Sequence, residues 1–442
     1  MSLFSNFVTD VVVVAVVLGF MIFVHELGHF LAAKYFGVRV LTFSLGFGKR
    51  LAGFKRGDTD YRLSLLPFGG YVKMSGEDPA ESHRDDPADF LAHPRWQRFI
   101  IAIMGPTMNI LTAFVLLAVL YKFHYQKPAY EEEPARIGDV QPNSPAARAG
   151  LKPGDLVESI GTLDHPKWQD LELRILTTTG QPIPMKILRD GELLNVTLTP
   201  QAKGVNEVGY AGLQPCLPSV IGEVEGGMPA ARAGLKSGDR ILAVDNIKVP
   251  CWQQLSSAMQ SRGGKPSVLT VEHRGKDFQV TVQPVYRKIA TQGRWLIGVT
   301  LQTNVVRQLP IGQAIKSSIQ DNIRSTTATF VVLKRILTRH LSARSLSGPI
   351  GIAQISGEAY RAGFADLVTL VAFISLQLGI FNLLPIPILD GGMILLLLIE
   401  GAIQRDLSLQ VKERVVQAGL FLLLLLAVFV MYNDIVKTLA HY

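Results

Sequence analysis

Phe23-Val24-His25-Glu26-Leu27-Gly28-His29 stands inside an apolar run, residues 8–33, that is long enough to cross a bilayer. Two histidines at i and i+4 lie about 40° apart around a helix, so both imidazoles can reach one ion. Glu26 projects beside that ion, where its carboxylate can take a proton from bound water without being a ligand. Zn2+ is the expected cofactor, because it favours imidazole and carboxylate ligands and keeps an open position in catalytic sites. Bound zinc lowers the pKa of water to about 7 and polarises a carbonyl, which is the chemistry of peptide hydrolysis. The plainer reading is a pair of helix histidines with ordinary hydrogen bonds. An acid inside an apolar span costs roughly 2.5–3.5 kcal/mol, so such groups usually mark function.

Three further stretches are apolar enough to span, at 99–121, 367–399 and 415–436. The third of the four spans offers the missing ligand in Asn382-Leu-Leu-Pro-Ile-Pro-Ile-Leu-Asp390-Gly391-Gly392. Pro385 and Pro387 should break the helix in mid-membrane, where irregular backbone is tolerated only beside protein or a wet cavity. Asp390 is the only acidic residue between Asp366 and Glu400, and it is assigned as the third ligand. Gly391 and Gly392 permit close backbone approach or a positive φ. Asn382 suits substrate positioning or oxyanion stabilisation, and a structural hydrogen bond nearly as well. Gly105-Pro106-x-x-Asn109 reads as helix packing.

The composition agrees with a polytopic membrane protein: 48% of residues are hydrophobic, 18% charged, and the mean hydropathy is +0.26. The first span is not expected to be a removable signal peptide, since no basic region precedes it and its apolar run is too long. The net charge is +8, and basic residues crowd the segment after that span: Lys34, Arg39, Lys49, Arg50, Lys55 and Arg56. This pattern predicts residues 34–98 in the cytoplasm and the N-terminus outside. No nucleic-acid motif accompanies the cluster, and no nucleic-acid partner is expected. Two cysteines, Cys216 and Cys251, exclude a Cys-rich zinc site. Whether they pair stays open.

Between the second and third spans an internal repeat recurs at an offset of 84 residues. Pro145-Ala-Ala-Arg-Ala-Gly-Leu-Lys152 with Gly154-Asp155 returns as Pro229-Ala-Ala-Arg-Ala-Gly-Leu-Lys236 with Gly238-Asp239. Each copy predicts a short helix ending at glycine, a turn, and then a strand. The pattern resembles the PDZ domain, which captures extended peptides along a sheet edge, against the alternative of a tandem spacer without a ligand. From 310 to 340, Ile311, Ile315, Ile319 and Ile323 predict an amphipathic helix for the membrane surface or for the repeated modules.

HELGH in the first span and NLLPIPILDGG in the third resemble the site-2 protease family of intramembrane zinc metalloproteases. The tandem repeat narrows the resemblance to its bacterial sigma-E-pathway branch. Phe68-Gly-Gly-Tyr-Val-Lys-Met74, Gly105-Pro106-x-x-Asn109 and Leu346-Ser-Gly-Pro-Ile350 also look like family signatures. Met393 departs from relatives that carry histidine there. The resemblance implies a zinc endopeptidase, with Glu26 catalytic and His25, His29 and Asp390 on the metal. It also implies single-span membrane substrates of the anti-sigma-factor type, with remnant signal peptides as a second class, and a bacterial inner-membrane site with the PDZ pair periplasmic, acting as a size filter. A membrane-associated β-hairpin, Tyr61–Leu66 with Tyr71–Met74, is expected to pair with unwound substrate through Gly69, Gly70 and Tyr71.

The resulting fold class is a multi-pass α-helical membrane protein with four transmembrane helices, that hairpin, and two inserted β-rich PDZ domains. The expected division is 1–126 for the N-terminal membrane core, 127–215 and 216–290 for the modules, 291–365 for a linker, and 366–442 for the C-terminal membrane core. The expected partners are such substrates and membrane lipid. A PDZ scaffold with a vestigial metal site and a zinc transporter are the competing readings. A complete ligand set with its base argues against the first, and ligands converging on one point argue against the second.

Overall fold

The structure, a computed structural model, describes residues 2–77, 86–131, 133–204, 207–289, 292–343 and 348–440. Of the signature at 346–350, Leu346 and Ser347 fall outside them. Among the described residues, four helices are long and apolar enough to cross a membrane: Val8–Phe36, Arg95–Phe123, Phe364–Asn382 and Leu409–Val436. The chain forms two compact units. One comprises Met1–His124, Gln308–Phe330 and Leu346–Tyr442; the other comprises Tyr125–Arg307 and Val331–Ser345.

The membrane unit is built on α1 (Ser2–Phe36), α2 (Arg95–Phe123), α3 (Ile311–Leu337), α4 (Pro349–Ala362), α5 (Phe364–Asn382), α6 (Asp390–Ile403) and α7 (Leu409–Ala440). Val12, Val16 and Phe20 of α1 and most of the apolar face of α7 are exposed, as lipid-facing side chains should be. Inward, α2 packs against α1 and α5, and Ser375 of α5 donates to the Asn109 carbonyl at 2.9 Å. α4 starts at Gly348, where Asp434 of α7 accepts from the backbone of Gly348, Ile350 and Gly351 at 2.9–3.1 Å. Those N–H groups have no partner within the helix, so a buried carboxylate is a strong cap.

α3 is the amphipathic helix that the sequence predicts, with its isoleucine stripe turned away from the protein. Ile311, Ile315, Ile319 and Ile323 are exposed, whereas Ala314, Ser318 and Asn322 are buried. Ser318 donates to the Phe114 carbonyl at 2.8 Å, and the Tyr121 hydroxyl donates to Asp321 at 2.7 Å. The small and polar face of α3 packs on α2 through side-chain hydrogen bonds, and its isoleucines are left exposed. The choice between membrane surface and modules thus resolves, up to Phe330, in favour of the membrane unit.

The expected hairpin is corrected. β1 (Val40–Arg56) and β2 (Thr59–Met74) pair along nearly their whole length, but Tyr61–Leu63 and Tyr71–Lys73 do not pair with each other. Thr42–Leu45 lies between them, with Phe43 opposite both Tyr61 and Val72. The outer stretch Ala52–Arg56 then turns at Gly57-Asp58 onto Thr59–Leu63. The earlier segment, 40–47, takes the central place because Val40 and Phe43 bury under α1 and α2.

The second unit repeats one plan. Strands Leu156–Ile160, Ile183–Arg189 and Glu192–Leu198 with helix Trp168–Leu176 recur as Arg240–Val244, Ser267–His273 and Lys276–Val282 with helix Trp252–Arg262. Each copy has its own core, centred on Ile160, Leu171 and Ile187 in the first and on Ile241, Leu255 and Leu269 in the second. The repeated Asp155 and Asp239 are both 1% exposed, and each accepts from the backbone N–H of the preceding lysine, Lys152 or Lys236. Asp155 also takes a two-pronged bond from Arg189, at 2.7 Å on each oxygen; Asp239 faces His273 instead. Cys216 and Cys251 form a disulfide between the last strand of the first module and the helix of the second.

Candidate metal centre

α1 carries His25 and His29 on one face, and both rings are buried. Their Nε2 atoms lie 3.2 Å apart. Asp390, the first residue of α6, brings its carboxylate to 3.0 Å from His25 Nε2 and 3.4 Å from His29 Nε2. One ligand atom from each of the three lies within 4.8 Å of the others. Asp390 Oδ2 is a buried acceptor without a hydrogen-bond donor, so a cation among these atoms would satisfy it. The donor set, two imidazoles and a carboxylate, fits Zn2+.

The backbone before Asp390 has the break expected of Pro385 and Pro387. α5 stops at Asn382 and α6 resumes at Asp390. Ile388 holds φ 86, a region in which a β-branched residue is a genuine outlier. Gly391 and Gly392 serve close approach rather than positive φ: a Cβ would meet the Leu383 carbonyl oxygen at 2.5 Å from the first, and that of Ile386 at 2.5 Å from the second. Asn382 ends α5 half-buried and makes no hydrogen bond to the three converging side chains.

α2 closes the site from the other side, a role that sequence reasoning assigned to packing alone. Gly105 lies directly under the imidazoles; a Cβ there would overlap His29 Nε2 and come within 2.8 Å of His25 Nε2. His29 Nδ1 donates to the Ile101 carbonyl at 2.8 Å, which leaves its Nε2 free to bind a cation. Asn109, fully buried, sets its side-chain amide 3.1 Å from His25 Nδ1, and its Oδ1 has no other partner. A half-turn of the amide about its last torsion exchanges its N and O without changing its shape. With Oδ1 turned to His25, it accepts the Nδ1 proton, and His25 Nε2 keeps its lone pair for a metal. The only sequence signal for this was an amide and a glycine inside an apolar span.

β2 runs past the opposite flank. Gly70 rests against Ile22 and the Glu26 side chain, and the Val72 backbone N–H points at the Glu26 carboxylate. Met74 N–H turns the same way, to Glu77 at 3.3 Å. With the Val72 and Met74 N–H groups turned to side chains, strand alternation directs the Gly70 N–H away from β1 as well and those of Tyr71 and Lys73 toward it. Tyr71 stacks on Phe47, with ring centres 6.0 Å apart and planes within 4°. Gly69 packs beneath the same Phe47 ring.

The comparisons with known proteins agree with one another. The model of Peptidase family M50 matches residues 13–426. A Treponema pallidum protein named as a zinc metalloprotease is 31% identical over 445 residues, covering 96% of this chain and 98% of its own. Haemophilus influenzae and Salmonella typhimurium (strain LT2) have relatives named "Regulator of sigma E protease", at 30% and 31% identity over 94% and 95% of this chain and 96% of each relative. The site-2 protease resemblance drawn from HELGH and NLLPIPILDGG is therefore borne out. With its family model matched almost end to end and such relatives aligned over nearly their full length, the chain belongs to peptidase family M50.

Proposed function

We propose that the protein is a site-2 intramembrane zinc endopeptidase in which His25, His29 and Asp390 hold Zn2+ and Glu26 is the general base. The observation that carries this reading is the convergence of two imidazoles and one carboxylate from separate helices, with a carboxylate oxygen left unsatisfied. Zinc bound there supplies an acidified water and a Lewis acid for the scissile carbonyl. Glu26, one residue from His25 and outside the cluster itself, accepts the proton of the attacking water and returns it to the leaving amine. Asn109 and the Ile101 carbonyl fix the two imidazole tautomers.

A substrate helix hides its peptide bonds in i→i−4 hydrogen bonds, so cleavage needs an unwound segment with new backbone partners. The outward edge at Gly70 and Val72 runs along Glu26 and suits strand addition there. This refines the expected trio of Gly69, Gly70 and Tyr71, because strand alternation turns the Tyr71 N–H toward β1. Asn382 keeps its proposed part in positioning substrate.

The substrates are single-span membrane proteins, of the anti-sigma-factor type in the sigma-E pathway that names two relatives. The enzyme resides in a bacterial inner membrane. The β-rich modules are a PDZ pair on the periplasmic side, filtering substrates by size. The disulfide supports an oxidising compartment for them. The test is Glu26→Gln with a co-expressed single-span substrate: cleavage should stop while zinc stays bound, and undiminished cleavage would refute the mechanism.

A further inference from the structure

Where α2 begins, α6 ends and α7 begins, five charged side chains crowd together. Arg95 donates to Asp406 at 3.0 Å, and Lys412 Nζ lies 2.7 Å from Glu400. Glu400, 1% exposed, also accepts from the Leu407 N–H at 2.9 Å. Both carboxylates are thereby engaged, and a third cation, Arg98, is left over. Arg98 is 6% exposed, yet among the described residues its guanidinium forms no ion pair, and its Nε is a buried donor without an acceptor. A buried cation in that position is costly unless something matches it.

What Arg98 meets is a polar cavity of about 280 Å³, shared with Lys412 and Asp406 and rimmed by Leu91, Ala92 and Leu409. The location restricts the ligand. Two of the helices long and apolar enough to cross a membrane begin here, at Arg95 and Leu409, and the exposed Trp96 in the first turn of α2 is the kind of residue that sits at headgroup level. A guanidinium fork matches phosphate oxygens, Lys412 adds a point charge, and the apolar rim suits a glycerol backbone and the first methylenes of acyl chains. A small soluble anion would have no use for that rim. We propose that this cavity binds the phosphodiester headgroup of an anionic phospholipid, with Arg98 as its principal recognising group. Anionic lipid is favoured over zwitterionic lipid because three cations face two carboxylates.

Native mass spectrometry of the full-length protein, titrated with dioleoyl phosphatidylglycerol or dioleoyl phosphatidylcholine, reads the preference directly. Wild type should bind the anionic lipid about fivefold more tightly, the factor that one cation supplies at a membrane surface. Arg98→Gln should abolish the difference at unchanged zinc content. Ala92→Trp fills the exposed rim without removing a charge, should abolish it as well, and covers the case in which the arginine variant misfolds. A preference that survives in either folded variant overturns the site. Displacement of the lipid by a large excess of inorganic phosphate would make it a free-phosphate site and overturn the lipid assignment.

Discussion

The Asn109 amide stands 3.1 Å from His25 Nδ1, from a different helix and wholly out of solvent. It is the hydrogen bond that decides which imidazole nitrogen faces Asp390. Removing such an outer partner of a metal-ligating histidine lowers metal affinity by about 10–100-fold. Asn109→Leu should therefore retain the fold and lose zinc to a weaker chelator than wild type does, in a competition titration. Equal affinities would reduce Asn109 to packing.

Gly105→Ala makes a sharper demand. The new methyl would occupy the space of His29 Nε2, and the α2 backbone cannot retreat while it packs against α1 and α5. Zinc stoichiometry, measured by atomic emission on purified protein, should collapse along with activity. Full zinc occupancy in that variant would mean that the imidazoles have room the geometry denies them.

Glu26→Gln and Asp390→Ala should separate chemistry from ligation. The first keeps all three ligand side chains and should lower the cleavage rate by about 10²–10⁴-fold at normal zinc content. The second removes the carboxylate between the imidazoles, so zinc content itself should drop. A zinc-replete Asp390→Ala protein would strike Asp390 from the ligand set.

Asp155→Ala should unfold the first module at lower temperature. Removing one partner of a buried charge pair costs about 3–5 kcal/mol, because the other is left unmatched. Arg189 would lose both of its 2.7 Å bonds and the Lys152 N–H its acceptor. Asp239→Ala should cost less, since Asp239 has a single side-chain partner atom, on His273, where Asp155 holds a guanidinium by two. Thermal melts of the two variants would rank them, and the reverse order would contradict the assignment.

The parts of this protein legible in sequence are those in which chemistry restricts residue type. An acid and two imidazoles in hydrocarbon have few explanations, so HELGH and the aspartate after the proline break stood out. Duplication was equally plain, because ten identical residues at one offset, Pro145–Lys152 with Gly154 and Asp155, need no structural knowledge. Asn109 and Gly105 were missed because their meaning comes from the helix opposite, and periodicity carries no record of neighbours. The strand between Tyr61 and Tyr71 was missed for a related reason: alternation identifies strands but not which of them pair. The isoleucine stripe of α3 marked an amphipathic helix, but the stripe carries no record that the opposite, small and polar face packs on α2. The joining of Cys216 to Cys251 needed the fold to bring them together.

Ile388 sits next but one to Asp390 in a conformation that β-branched residues avoid. Replacing it with glycine would relieve that tension, and the protein should then gain stability. The same relief would let the carboxylate wander, since the kink is what aims it at His25 and His29. Thermal tolerance and turnover would then move in opposite directions at this single position. A screen that rewards robustness alone would select the inferior catalyst.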